Sequence, residues 1–167
     1  MHNPFDMVRL IGFFLFLMST IVMAQNIPQE LVGKWIVQRE IPTRTISCWG
    51  KKEAKAIIGT EIAYTTDFFR WKRLVIEHPA VEVAVVSAEQ FQTDNSSPSA
   101  NGSQISFTQL GITIPRAKQV TIKHPPAKVT DATTEIPGDI VLLKNHDALV
   151  FSVSNIYFEA KRLAVKE

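Results

Sequence analysis

The sequence predicts an all-β domain behind an export segment, and two patterns carry the fold class. Short stretches in which apolar residues alternate with polar ones recur along the chain, and Gly, Pro, Asn, Asp and Ser separate them. The helix-like pieces between them are too short to cross a sheet, so hairpins have to join the strands and the sheet has to be mostly antiparallel. A sandwich and a barrel both satisfy these patterns.

The chain opens with a short segment carrying Arg9, followed by an almost unbroken apolar run over 10–22 that ends in Val22-Met23-Ala24. This is the layout of a cleavable signal peptide. The run falls short of the roughly 20 residues of a spanning helix, and polar Gln25 and Asn26 follow it directly. Cleavage after Ala24 is expected, leaving one domain over 25–167. No cysteine stands at position 25 to take a lipid, so the expected product is secreted or periplasmic, with no stable membrane anchor.

Strands are expected over 34–40, with Trp35 and Val37 on one face, over 43–48, and over 60–65 with Ile62 and Tyr64 inward. A single strand over 68–76 sets Phe69 and Trp71 against Arg70 and Lys72, and 81–86 aligns Val81, Val83 and Val85. Further strands are expected over 104–108, 118–123, 139–144, 148–154 and 156–162. A helical turn is expected over 28–32. Residues 51–58 carry Ala54, Ile57 and Ile58 at helical spacing and stop at Gly59, and Ser87-Ala88-Glu89-Gln90 reads as a capping box for a turn of helix ending near Phe91. The polar run 93–103 and the segment around Pro125, Pro126 and 130–135 read as exposed loops. Asn145-His146-Asp147 is short enough for a hairpin.

The net charge is +2 and no dense Lys/Arg stretch with interleaved aromatics occurs, so nucleic acid is not an expected partner. Cys48 is the only cysteine, which rules out an internal disulfide and suits plain core packing. His78, His124 and His146 lack the spacing of a metal signature, and neither a G-x-S-x-G elbow nor a glycine-rich phosphate loop occurs. No metal, cofactor or catalytic residue is assigned, and the chain is expected not to be an enzyme.

The aromatics Tyr64, Phe69, Trp71, Phe107, Phe151 and Phe158 alternate with polar residues, as core residues or the lining of a pocket would. The full inward set adds Ile62, Val83, Val120 and Leu142.

Gly33-Lys34-Trp35 resembles the G-x-W motif of lipocalins, and Arg162, at the end of the last strand, matches the arginine that packs across that tryptophan in the family. Thr66-Asp67-Phe68 is the nearest string to the family's T-D-Y motif and falls earlier in the chain, and the usual disulfide has no second cysteine. The resemblance implies a lipocalin-like, antiparallel up-and-down β-barrel with Trp35 and Arg162 as structural residues. It also implies a small hydrophobic ligand held inside, against Tyr64, Phe69, Trp71, Phe107, Phe151 and Phe158, without catalysis. The alternative is an exported barrel that binds another protein through its surface or loops, for example an inhibitor of a cell-wall enzyme.

Overall fold

The computed structural model describes residues 26–43, 45, 47, 49–96, 104–124 and 135–164. The expected signal peptide, Cys48 and most of both expected loops lie outside the described residues, as do three positions of the expected strand over 43–48.

Nine antiparallel strands form one sheet: β1 (Gly33–Ile41), β2 (Glu61–Tyr64), β3 (Phe68–Trp71), β4 (Leu74–Glu77), β5 (Ala80–Ser87), β6 (Arg116–Lys123), β7 (Ile140–Asn145), β8 (Ala148–Val153) and β9 (Ile156–Arg162). Their order is β4-β3-β2-β1-β9-β8-β7-β6-β5, so the N-terminal and C-terminal strands pair with each other. The two edge strands are sequence neighbours, joined only by His78 and Pro79. So short a link ties one end of β4 to one end of β5, and the sheet curls into a half-barrel.

Register gives the same result. Crossing the ladders from Leu74 passes Trp71, Ile62, Trp35 and Arg162. Continuing through β8, β7 and β6, the path arrives in the far half of β5, about a dozen residues further along the same bent stretch of chain. That stagger goes with the tilt of the strands in a curled sheet. His78 makes the bend, with φ of 44° and its N–H donating to Asp67 O at 2.6 Å.

Two short helices complete the described fold. Helix α1 (Lys51–Lys55) is followed by a turn to Gly59, whose φ of 82° is the left-handed stop that its position foretells. Helix α2 (Ala88–Asp94) starts at Ser87, whose hydroxyl accepts from Gln90 N at 3.1 Å. Only half of the expected capping box forms, because the Gln90 amide turns to Asp94.

The sheet separates two apolar clusters. The inner one holds Trp35, Ile62, Tyr64, Phe69, Val120, Phe151 and Phe158 among others, closed at one end by Ile27 and Leu31 and joined by Ala54 and Ile57 around α1. The outer one packs Phe91 of α2 and Ile105, Phe107, Leu110 and Ile112 over Ile41, Leu142, Val150 and Tyr157.

Three expectations change. Residues 68–76 form a hairpin, with Lys72 at φ of 52° in its turn, because the apolar positions change parity from 69 and 71 to 74 and 76. Residues 104–108 form no strand: Ile105 and Phe107 are buried on a turn that covers the outer face. Leu142 faces outward too, and Val141 and Leu143 take the inward places on β7.

Candidate functional site

Of the six aromatics expected to line a ligand site, five share the inner cluster. Tyr64, Phe69 and Phe158 have no accessible surface, Phe151 is buried, and Trp71 packs partly buried at the edge. Phe107 is the exception; it stacks near Phe91 in the outer cluster, with ring centroids 5.2 Å apart. Tyr64 and Phe69 lie 5.4 Å apart, and Phe151 and Phe158 stack at 5.5 Å.

These side chains are tightly packed at the centre of the inner face, while Trp71, Ile76 and Val83 at its edges are only partly buried. A hollow wide enough for water beside Trp35, Ile62, Tyr64, Phe69, Val120, Leu149 or Phe158 would leave them accessible surface, and each has none. Their polar atoms are satisfied from within the chain. The Tyr64 hydroxyl donates to Gly138 O at 2.6 Å, and the Trp71 indole N–H donates to Thr60 Oγ1 at 3.4 Å. Burial, with a smaller contribution from the Asp139 charge, holds the Tyr64 hydroxyl well above its ordinary pKa, so it remains a donor. Gly138 has φ of 86°, and a Cβ there would lie 2.8 Å from the Tyr64 oxygen and 2.9 Å from Ile62 Cδ1. The start of β7 is thus pressed against β2, four places away in the sheet order, across the barrel interior.

One end is closed by the pair expected from the sequence. The Arg162 guanidinium lies 4.2 Å from the centre of the Trp35 ring. It donates to the carbonyls of Val32, Glu30 and His146, while the Trp35 indole donates to Leu31 O at 2.9 Å. Gly33, at φ of 141°, lets the guanidinium approach: a Cβ there would meet Nη1 at 2.7 Å.

Outside the barrel, a groove of about 320 Å³ lies between α2 and the outer face of β7 and β8. Phe91, Leu142, Val150 and Tyr157 give it apolar walls, and Asn95 and Asp139 stand among its polar groups. Tyr157 donates to Asn95 Oδ1 at 3.1 Å. Burial raises the Asp139 carboxyl, opposed by its hydrogen bond and charge interaction with His124, 3.3 Å away.

The charges of the outer wall form the feature that sequence reading missed. Glu159 on β9 is buried and is contacted by Arg39 at 2.9 Å, Lys144 at 3.1 Å and Lys161 at 3.4 Å. Burial pushes its carboxyl up, but the hydrogen bonds and charges of Lys144 and Arg39 outweigh that and lower its pKa. Glu61 on β2 similarly takes Arg70 at 3.0 Å and Lys34 at 3.6 Å. The only sequence signal for this arrangement is a cation at alternate positions of strands far apart in the chain.

The histidines stay at separate turns, His146 beside Asp147 at 2.8 Å, and among the described residues no three His, Cys, Asp or Glu side chains gather as metal ligands. Among the described residues no helix is long and apolar enough to cross a membrane. Compared with protein-family models, curated proteins and solved structures, the chain matches none.

Proposed function

We propose that this chain is an exported, non-catalytic barrel that binds another protein through its outer surface. The observation that carries this reading is the close packing at the centre of the inner face. A lipocalin-like carrier needs an apolar hollow with one or two free polar groups. Here the central aromatic residues have no accessible surface, and Tyr64 and Trp71 spend their polar atoms on Gly138 and Thr60. What is left for recognition is the outside of the barrel, where charged and apolar side chains stand on a stiff sheet that holds them in place without a partner.

Titration of the mature protein with fatty acids, porphyrins and an apolar dye, followed by tryptophan fluorescence, separates the readings. The expected result is no saturable quench at micromolar concentration. A saturable quench that Trp71→Ala weakens more than it weakens folding would overturn the proposal and restore the small hydrophobic ligand.

A further inference from the structure

We infer that the outer face of β1, β2, β3 and β9 is a basic docking surface for an acidic stretch of a partner protein. This rests on the outer-surface reading above and names the surface and the chemistry of its partner.

The register builds the surface in adjoining rows. One runs Val75, Arg70, Ala63, Lys34 across β4, β3, β2 and β1. It continues to Leu163, whose N–H donates to Lys34 O at 2.8 Å. The next runs Glu61, Ile36, Lys161, Ala148. A third places Arg39 beside Glu159, with Lys144 reaching the same carboxylate from β7. Trp35, Val37, Ile62 and Phe69 point into the barrel, so their neighbours on these strands point out.

Within these rows on β1, β2, β3 and β9, among the described residues, four cations (Lys34, Arg39, Arg70 and Lys161) meet two carboxylates (Glu61 and Glu159), a net charge of +2, and Lys144 reaches Glu159 from β7. The whole chain carries +2, so this one wall holds a net charge as large as that of the entire molecule. Depth sharpens the contrast on these strands: the side chains of Lys34, Arg39, Lys161 and Arg70 are 59%, 55%, 46% and 40% exposed, against 34% for Glu61 and 7% for Glu159, while Lys144, at 17%, lies beneath them. The carboxylates sit low and hold the cations in position, and the cations are what a partner meets. The next carboxylate on this face, Glu77, stands a further row away, opposite Phe68.

Charge complementarity selects an acidic occupant, and the other side chains select a protein. Half-buried Ile36 lies between the cation rows, and exposed Val75 and Leu163 stand at the two ends of the first row. Apolar contacts beside fixed charges suit a peptide with its own apolar side chains. The guanidinium forks of Arg39 and Arg70 suit carboxylates. At about 4.8 Å between strands and about 7 Å between alternate residues, the rows cover roughly 20 Å by 14 Å. That area accepts a segment of chain and is well below the roughly 800 Å² that a globular partner covers on each side of a standard interface.

The test uses fluorescently labelled poly-L-glutamate as the probe, with fluorescence anisotropy at low and high salt. The mature protein is expected to bind saturably and to weaken steeply with salt. The variant Lys34→Gln/Arg70→Gln/Lys161→Gln is expected to bind about tenfold more weakly with a shallower salt dependence. It keeps Arg39 and Lys144 on Glu159, and its melting curve reports folding separately. The same charge loss elsewhere, Lys51→Gln/Lys52→Gln/Lys55→Gln on α1, is expected to leave binding unchanged. Equal loss in both variants, no binding by the mature protein, or tighter binding to phosphatidylglycerol vesicles or heparin than to poly-L-glutamate would each overturn the inference. These outcomes are independent of the Trp71-dependent quench that would overturn the outer-surface reading itself.

Discussion

Arg162 is the residue on which most of the closed end depends. Its three nitrogens donate to three carbonyls from two separate turns, and its plane covers Trp35. Removing it leaves those carbonyls to find water at a partly buried site. Arg162→Ala should cost about 2 to 4 kcal/mol and lower the melting temperature by on the order of 10 °C. Arg162→Lys should recover less than half, since an ammonium lacks the planar fork. An unchanged melting temperature would show that the contacts are incidental. Glu159 makes a prediction in pH. Its folded pKa lies below the ordinary glutamate value, so the stability it contributes is present above that value and is lost as pH falls through the folded pKa. Glu159→Gln should therefore cost about 1 to 3 kcal/mol at neutral pH, and the gap to the unsubstituted protein should close at acid pH. Denaturant titrations at the two pH values check this; an equal gap at both would remove the charge from the explanation.

Among the elements, the segment leading into β7 is the one whose backbone cannot change. Gly138 combines a left-handed φ with the close approach of Tyr64 and Ile62, so Gly138→Ala meets strain and overlap together. A loss of about 2 to 4 kcal/mol is expected in equilibrium unfolding. The smaller change Tyr64→Phe, which only leaves Gly138 O without its donor, should cost about 1 to 2 kcal/mol. If the two variants are equally stable, the close approach is not what the glycine serves. Elements also show why the sequence was legible in some places and not others. Strand β9 falls on the residues that alternation predicts, because one side of it faces the aromatic interior and its outer side mixes Glu159 with Lys161. Strand β7 reads Ile-Val-Leu-Leu, apolar on both faces, because the turn carrying Phe107 and the helix carrying Phe91 cover it from outside. Parity is then unreadable, and Leu142 is assigned to the wrong face.

For the whole molecule, the fold and the expectation of export are separate matters. Residues 1–24 lie outside the described fold, and the inner cluster starts with Ile27. The export reading predicts that intact mass of the secreted protein begins at Gln25; a Met1 form held in a membrane fraction would refute it. The barrel should be indifferent to that cleavage, because its first described packing contact is Ile27, followed by the turn at Pro28 to Val32, tied to β6 by the Glu30–Lys118 ion pair. The basic face is likewise a property of the assembled molecule. Lys34, Arg70 and Lys161 are far apart in the chain and adjacent only across the sheet.

By itself the sequence determined the class of fold, the antiparallel pairing and the positions of most strands, since alternation and turn residues are local properties that the backbone obeys wherever it lies. It also singled out Trp35 and Arg162, through the resemblance of Gly33-Lys34-Trp35 and the arginine of the last strand to lipocalin motifs. Only the tertiary structure shows how closely the centre of the inner face is packed. That depends on how Tyr64, Phe69, Phe151 and Phe158 interdigitate across the barrel, and alternation records which way a side chain points without recording what it meets. The outer basic face was decided at the same level. A row of a sheet takes one residue from each strand, and the stagger between strands, set by their register in the curled sheet, chooses which residues share it.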